Sequence, residues 1–283
     1  IYSIFHSQMP RTHKKPKSVS KYAFYEESVQ TPEQHIAMFS LMYTDLRGKR
    51  PYVLREDFCG TFAISADWVC SDKKRTAIAI DLDPEPLEYG KEERLIQLTP
   101  GEQKRIKLLQ KNVLYVTSPK ADIAAACNFS FNIFKSRKNL VTYFKTVKQG
   151  LKKDGILVLE LAGGPGMIEP MRERRPHGSK LTGKFTYIWH QKHFDPITHF
   201  AEYAIHFQPR RGKKKLKMMR DAFTYDWRLW TIPELTDALI DAGYKSTEVY
   251  WEKEKKGRGT GIYARADKGS NDQTYIVYVV GLK

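Results

Sequence analysis

Two short stretches bring together residues that could do chemistry. Residues 53–62 read VLREDFCGTF and residues 81–87 read DLDPEPL. In the first, an apolar run enters a tight turn around Cys59-Gly60-Thr61 and continues into helix-forming residues. In the second, an apolar run ends on Asp81, 25 positions after Glu56. That is close to the spacing at which an acid ending the second strand of a dinucleotide-type fold meets ribose hydroxyls. A carboxylate suits the task because it can accept from both hydroxyls. Helix capping does not account for Asp81, since Asp83 stands before Pro84 and fills that role. Arg55 and Asp57 flank the turn and are expected to pair with each other. A bound carboxylate is the alternative partner for Arg55.

Other kinds of active site find little support. His190, His193 and His199 gather near one hairpin, but strand alternation puts His190 and His193 on opposite faces, so no metal pair forms and no metal is expected. The three cysteines, Cys59, Cys70 and Cys127, are odd in number and lack CxxC spacing, which argues against disulfides and structural zinc and for a reducing, cytoplasmic setting. No GxGxxG occurs. Gly257-x-Gly259-x-Gly261 lacks a preceding strand and a following helix and reads as a flexible loop within 252–272.

The elements that must position these residues alternate. Thr31-Pro32-Glu33-Gln34 predicts a capped helix with Ile36, Phe39 and Tyr43 on one face. Strands are expected at 52–54, 75–80, 106–113, 122–127, 156–162, 247–251 and 275–280. Helices are expected from 63 to 70, from 84 to about 98 and from 139 to 151, with a last one opened by the capping box Thr231-Ile232-Pro233-Glu234. This predicts an α/β chain with a doubly wound, mostly parallel, seven-stranded sheet binding ligands at the carboxyl ends of its strands. Between 163 and 230 the period changes to 2, giving a three-stranded antiparallel insertion with strands at 185–190, 200–207 and 216–230. The expected organisation is a basic tail over 1–21, a core with an N-terminal lid over 22–162, the insertion over 163–230 and the rest of the core over 231–283.

The turn and the acid after the second strand resemble those of class I S-adenosylmethionine-dependent methyltransferases, over roughly 51–162 and 231–283. The resemblance implies a Rossmann-like fold, S-adenosyl-L-methionine as cofactor, and a turn written Glu56-x-Phe58-x-Gly60-x-Phe62. Two phenylalanines replace glycines there, which is expected to keep the backbone from approaching a ligand. Carried over residue by residue, the resemblance implies a cofactor site of Glu56, Phe58, Cys59, Gly60, Asp81 and Leu82, with Asn112 and Val113 toward adenine and Asn128 and Phe129 toward the methionine end. The segment 223–239, FTYDWRLWTIPELTDAL, resembles that leading into the late helix of small-molecule methyltransferases, in which an antiparallel insertion roofs the site. Tyr22, Phe24 and Tyr25 would form an aromatic lid that excludes water. Tyr25, Tyr187 and His190 are the candidates for deprotonating an acceptor.

The chain has 283 residues and a formal charge of +16, yet residues 51–100, which hold the motif, sum to −4. With 41% hydrophobic residues a packed core is expected. The longest apolar runs are far shorter than the roughly 20 residues a membrane helix needs. The N-terminal tail, with Arg11, Lys14, Lys15, Lys17 and Lys21 and no acid, reads as solvated rather than as a secretion signal. Two partner classes compete for the reaction: a small molecule methylated on N or O beneath the insertion, or an RNA drawn by 172–175, 210–217 and 253–258. A non-catalytic binding or scaffold role is the third reading.

Overall fold

A computed structural model describes residues 19–255 and 258–283. Most of the expected basic tail, and part of the basic stretch 253–258, lie outside the described residues. Two helices come first, α1 (Lys21–Val29) and α2 (Pro32–Arg47). Strand and helix then alternate: β1 (Val53–Asp57), α3 (Ala63–Ser71), β2 (Thr76–Asp81), α4 (Pro84–Glu93), the single turn α5 (Pro100–Gln103), β3 (Ile106–Gln110), β4 (Ala121–Ala126), α6 (Arg137–Gly150) and β5 (Leu151–Gly163). The insertion follows with β6 (Met171–Ser179), β7 (Gly183–Asp195), β8 (Phe200–Arg211), β9 (Lys214–Lys215) and β10 (Met219–Arg228). α7 (Ile232–Asp241), β11 (Ser246–Lys255), β12 (Arg258–Arg265) and β13 (Tyr275–Leu282) complete the core.

The main sheet runs β12-β11-β13-β5-β4-β1-β2-β3. The five strands from β3 to β5 are parallel, and β13 and β12 run antiparallel to their neighbours. Strand alternation builds the two cores. On one face Ala124, Ala126, Leu157, Leu159, Val277 and Val279 pack against α6 and α7. On the other, Ile123, Ala125, Ile156, Val158, Tyr278 and Val280 pack against α2 and α3. The central strand β4, ADIAAA, is buried throughout, and its alanines let helices approach closely from both sides.

The expected seven strands are eight. The stretch expected to be a loop contains β12, paired along β11 through a bulge between Glu252 and Glu254. Gly261, at φ 70°, donates its N–H to Glu252 Oε1 at 2.6 Å and its carbonyl accepts from Gln34 Nε2, so a glycine serves an edge-strand bulge here. Gln34 therefore completes no capping box. Thr31, at φ −132° and ψ 68°, makes no side-chain cap bond, and its carbonyl instead accepts from the His35 ring. The capping box at Thr231 and Glu234 forms, and Asp83 caps α4. The insertion has β6 and the two-residue β9 beyond the three strands expected. β6 reads MRERRPHGS, a polar, proline-bearing sequence fit for an edge and without apolar alternation.

In the middle of β1 Arg55 is 0% exposed. Its Nε donates to Asp57 Oδ1 at 2.8 Å, its Nη2 to the Val113 carbonyl at 2.6 Å and its Nη1 to the Tyr115 carbonyl at 3.1 Å. Tyr143 of α6 donates to the other Asp57 oxygen at 2.8 Å. The pairing of Arg55 with Asp57 is as expected, and its complete enclosure removes it as a partner for a ligand carboxylate. Asp57→Ala leaves a buried guanidinium without its counter-charge and is expected to cost roughly 3–5 kcal/mol. Tyr143→Phe should cost about 1 kcal/mol. Urea unfolding of both variants checks the ranking; a loss for Asp57→Ala no larger than that for Tyr143→Phe would refute it.

Candidate active site

The turn after β1 has left-handed backbone at Phe58 (φ 56°), Gly60 (φ 53°) and Phe62 (φ 47°). These are the three positions written as glycine in the resembled motif, so the backbone takes a glycine-like path although two side chains are present. The two rings pack against neighbouring side chains. Phe62 is fully buried among Cys59, Ala66, Ala79 and Leu87. Gly90 of α4 leaves room for that ring: a Cβ there would lie 2.4 Å from Phe62 Cε1. Phe58 packs on Phe134 and Tyr143 at centroid distances of 6.1 and 5.8 Å. A non-glycine residue in this region costs roughly 1–3 kcal/mol, which aromatic burial of about the same size offsets.

Both acids of the motif hold the turn. Asp81 Oδ2 accepts from the Gly60 N–H at 2.7 Å and Oδ1 from the Asp83 N–H at 3.0 Å. Two backbone bonds leave lone pairs on both oxygens for a further donor. Burial raises its pKa above the ordinary carboxylate value despite those bonds. Glu56 Oε2 accepts from Ser65 N–H at 2.8 Å and from the Ser65 hydroxyl at 2.5 Å, tying β1 to the first turn of α3. Burial pushes Glu56 up to about 7, against the pull of both Ser65 bonds. Cys59 is enclosed and burial raises its thiol well above the ordinary range, so it is inert.

Around this turn lie the other residues carried over from the motif. Leu82 is 64% exposed directly after Asp81, an apolar side chain open to a ligand ring. Asn112 Oδ1 accepts from the Leu114 N–H at 2.9 Å, and the Val113 carbonyl is taken by Arg55, so both shape the loop after β3. Asn128 (φ 52°) and Phe129 (φ 59°) form a second left-handed turn at the end of β4. Tyr22, Phe24 and Tyr25 fall on α1: Glu26 accepts from Thr61 Oγ1 at 2.5 Å and pairs with Arg94 at 2.8 Å, while Tyr22 and Phe24 are buried against the insertion and α4.

Beside Asn128 and Phe129 opens a cavity of about 490 Å³ between the core and the inner face of the insertion sheet. Tyr187, Trp189 and Gln191 of β7 alternate into it, as do Tyr225 and Trp227 of β10. Tyr25 also lines it. Burial raises the phenols of Tyr25 and Tyr187, the latter to about 12, so they are hydrogen-bonding groups and not bases. His190 is not among the lining residues. One position out of step with Trp189 and Gln191, it points to the sheet's other face, with Nδ1 at 3.2 Å from His206 Nε2. The Asp221 N–H donates to His206 Nδ1, so His206 carries its proton on Nε2 and donates to His190.

The cavity floor was not expected. His35 of α2 donates from Nδ1 to the Thr31 carbonyl at 3.0 Å and holds Nε2 3.4 Å from Glu160 of β5. The Asn128 N–H donates to Glu160 Oε2 at 2.5 Å and the Tyr278 hydroxyl to Oε1 at 3.5 Å. Burial pulls His35 down, but Cys127 and Glu160 outweigh it and carry it up to about 12; burial raises Glu160, but His35 outweighs it and holds it below its ordinary value. Ligand atoms of His35, Cys127 and Glu160 lie within 4.8 Å of one another, the sole such group found among the described residues. Burial raises the Cys127 thiol to about 11, so it stays neutral, and the His35 imidazolium balances the charge of Glu160 alone. Glu160 had a signal in the sequence, as the one acid inside the apolar run ILVLELA; His35, 125 positions away, had none.

No protein-family profile matches the chain, and no curated protein does. Solved structures do. The SAM-bound amino pentose methyltransferase CalS10 from Micromonospora echinaspora, involved in calicheamicin biosynthesis, superposes with a TM-score of 0.67 at 13% identity, covering 93% of this chain and 96% of its own. The sugar N-methyltransferase KedS8 from Streptoalloteichus sp. ATCC 53650 gives 0.66 at 13% identity, covering 99% of both chains. Streptomyces venezuelae DesVI gives 0.67 at 14%, covering 92% and 95%. The fold is thus that of class I S-adenosylmethionine-dependent methyltransferases.

Glu56 makes a prediction of its own. Its folded value lies above the ordinary 4.5, so the folded state holds more protons between about pH 4.5 and 7. Its stabilising contribution is therefore complete below 4.5 and lost as pH rises to about 7. The unfolding free energy of the wild type, minus that of Glu56→Gln, should fall across that window and be flat above it; a difference that rises there would refute the assignment.

Proposed function

We propose that the chain is an S-adenosylmethionine-dependent methyltransferase acting on a small-molecule acceptor bound beneath the insertion. The carrying observation is the adjacency of two sites on neighbouring strands: a glycine-path turn after β1 braced by strand-end carboxylates, and an aromatic-lined cavity that reaches Asn128 and Phe129 after β4. A cavity of about 490 Å³ is of small-ligand size. The similarity of the fold to an amino pentose methyltransferase and a sugar N-methyltransferase supports an acceptor of that size.

The residues around the turn fit the cofactor. Asp81 keeps lone pairs free for ribose hydroxyls, Leu82 offers an exposed apolar face, and of the two phenylalanine rings Phe62 is buried in the core and Phe58 packs on Phe134 and Tyr143. When bound, S-adenosylmethionine supplies an electrophilic methyl group whose bonding pair stays with sulfur on transfer. No protein nucleophile is required. The protein aligns the acceptor, and α1, fastened by Glu26 to Thr61 and Arg94, helps exclude water. Residues 210–215 form the exposed tip of the β8–β9 hairpin and none of them lines the cavity. The acceptor pocket is therefore independent of that basic stretch.

Titration calorimetry with S-adenosylmethionine is expected to show binding that Asp81→Ala weakens by about 1–3 kcal/mol, roughly 5- to 150-fold. Unchanged affinity in that variant would sink the assignment of Asp81. Label from methyl-labelled cofactor should pass into the small-molecule fraction of a cell extract; label confined to RNA would refute the acceptor class.

A further inference from the structure

Three features of the cavity roof and wall point to one kind of ligand. The rings of Trp189, Tyr225 and Trp227 stand 4.5 to 6.3 Å apart, each pair tilted by 39 to 43°. Mutually tilted rings form a concave corner of π faces, where a flat stack would close on itself. Next on the same face of β7, Gln191 is 4% exposed, and its carboxamide oxygen has no hydrogen-bond partner among the described residues. A buried amide without a partner is costly unless a ligand answers it. The third feature is charge. Of the charged side chains lining the cavity, Arg175 is held by Glu173 through two bonds of 2.6 and 2.7 Å, and His35 faces Glu160. Glu252 remains, answered by a backbone N–H from Gly261 and by no lining cation. In a protein of charge +16 the acceptor cavity is the place that favours a cation.

We infer that the acceptor is an organic amine that enters as its ammonium ion, seated on the Trp189–Tyr225–Trp227 corner with an N–H donated to Gln191. Cation–π attraction strengthens as the cation loses water, and Trp227 and Gln191 at the corner are only 3% and 4% exposed. The inference rests on the methyltransferase reading for its chemistry, but binding of the cation needs no cofactor. In the reaction the ammonium first releases one proton to water. The freed lone pair forms the N–C bond as the C–S bond breaks, and the sulfur keeps that pair. The methylated product is again a monocation and fits the same corner.

Choline and its neutral isostere 3,3-dimethylbutan-1-ol test the corner by calorimetry on the intact protein. Choline should bind about tenfold more tightly, and Trp189→Leu and Trp227→Leu should each remove most of that preference. Circular dichroism shows which variants keep the fold, and the half-buried Trp189 gives the informative one if Trp227→Leu unfolds. tert-Butylammonium, which has N–H donors that choline lacks, tests Gln191: Gln191→Leu should weaken it about five- to tenfold and leave choline unchanged. Equal binding of choline and the alcohol to the wild type overturns the inference, and equal loss of both cations in Gln191→Leu overturns the role of Gln191. Binding of S-adenosylmethionine to the same samples separates the two readings. Cofactor binding without a choline preference refutes the ammonium site alone, whereas a choline preference without cofactor binding refutes the methyltransferase reading and supports the ammonium site.

Discussion

A full positive charge sits in the middle of the sheet, and much of the local architecture answers it. The guanidinium of Arg55 would be intolerable on a buried strand without a partner for its N–H groups, since desolvating an unpaired charge costs several kcal/mol. Asp57 neutralises it from the same strand, and the carbonyls of Val113 and Tyr115 accept its remaining reach. The loop after β3 is thereby fixed against β1, and Tyr143 carries the network into α6. β1, the loop after β3 and α6 are thus fixed to one another by one fully buried side chain.

The turn itself solves a different problem. Glycine is the ordinary way to hold a left-handed backbone, yet two of its three such positions carry phenylalanine. Each ring contributes core packing that a glycine cannot, so the strain is set against hydrophobic burial inside the same residue. The motif is consequently better described by its backbone dihedral angles than by its letters.

That distinction governs what was legible in the sequence. The alternation of strands and helices, the caps at Asp83 and Thr231, the pairing of Arg55 with Asp57 and the place of the insertion follow from local pattern, and all are found. β6 and β12 were missed because edge strands need no apolar alternation; one is strongly basic and the other is rich in glycine. The left-handed backbone at Phe58 and Phe62 was not legible from residue type, because phenylalanine gives no signal of it. His35 and Glu160 meet only through the fold, so their pairing had no local trace, and the side of the sheet faced by His190 depended on a register that was not yet known.

Glu160 stands at the junction of the two halves. Its carboxylate is the floor of the acceptor cavity and also receives the Asn128 N–H, fixing the left-handed turn that separates that cavity from the proposed cofactor cleft. It is a party wall: an alteration there disturbs both tenants. The strands β7 and β10 supply the opposite wall, so a substitution at Trp189 or Trp227 reshapes the cavity without touching the Glu160–Asn128 bond.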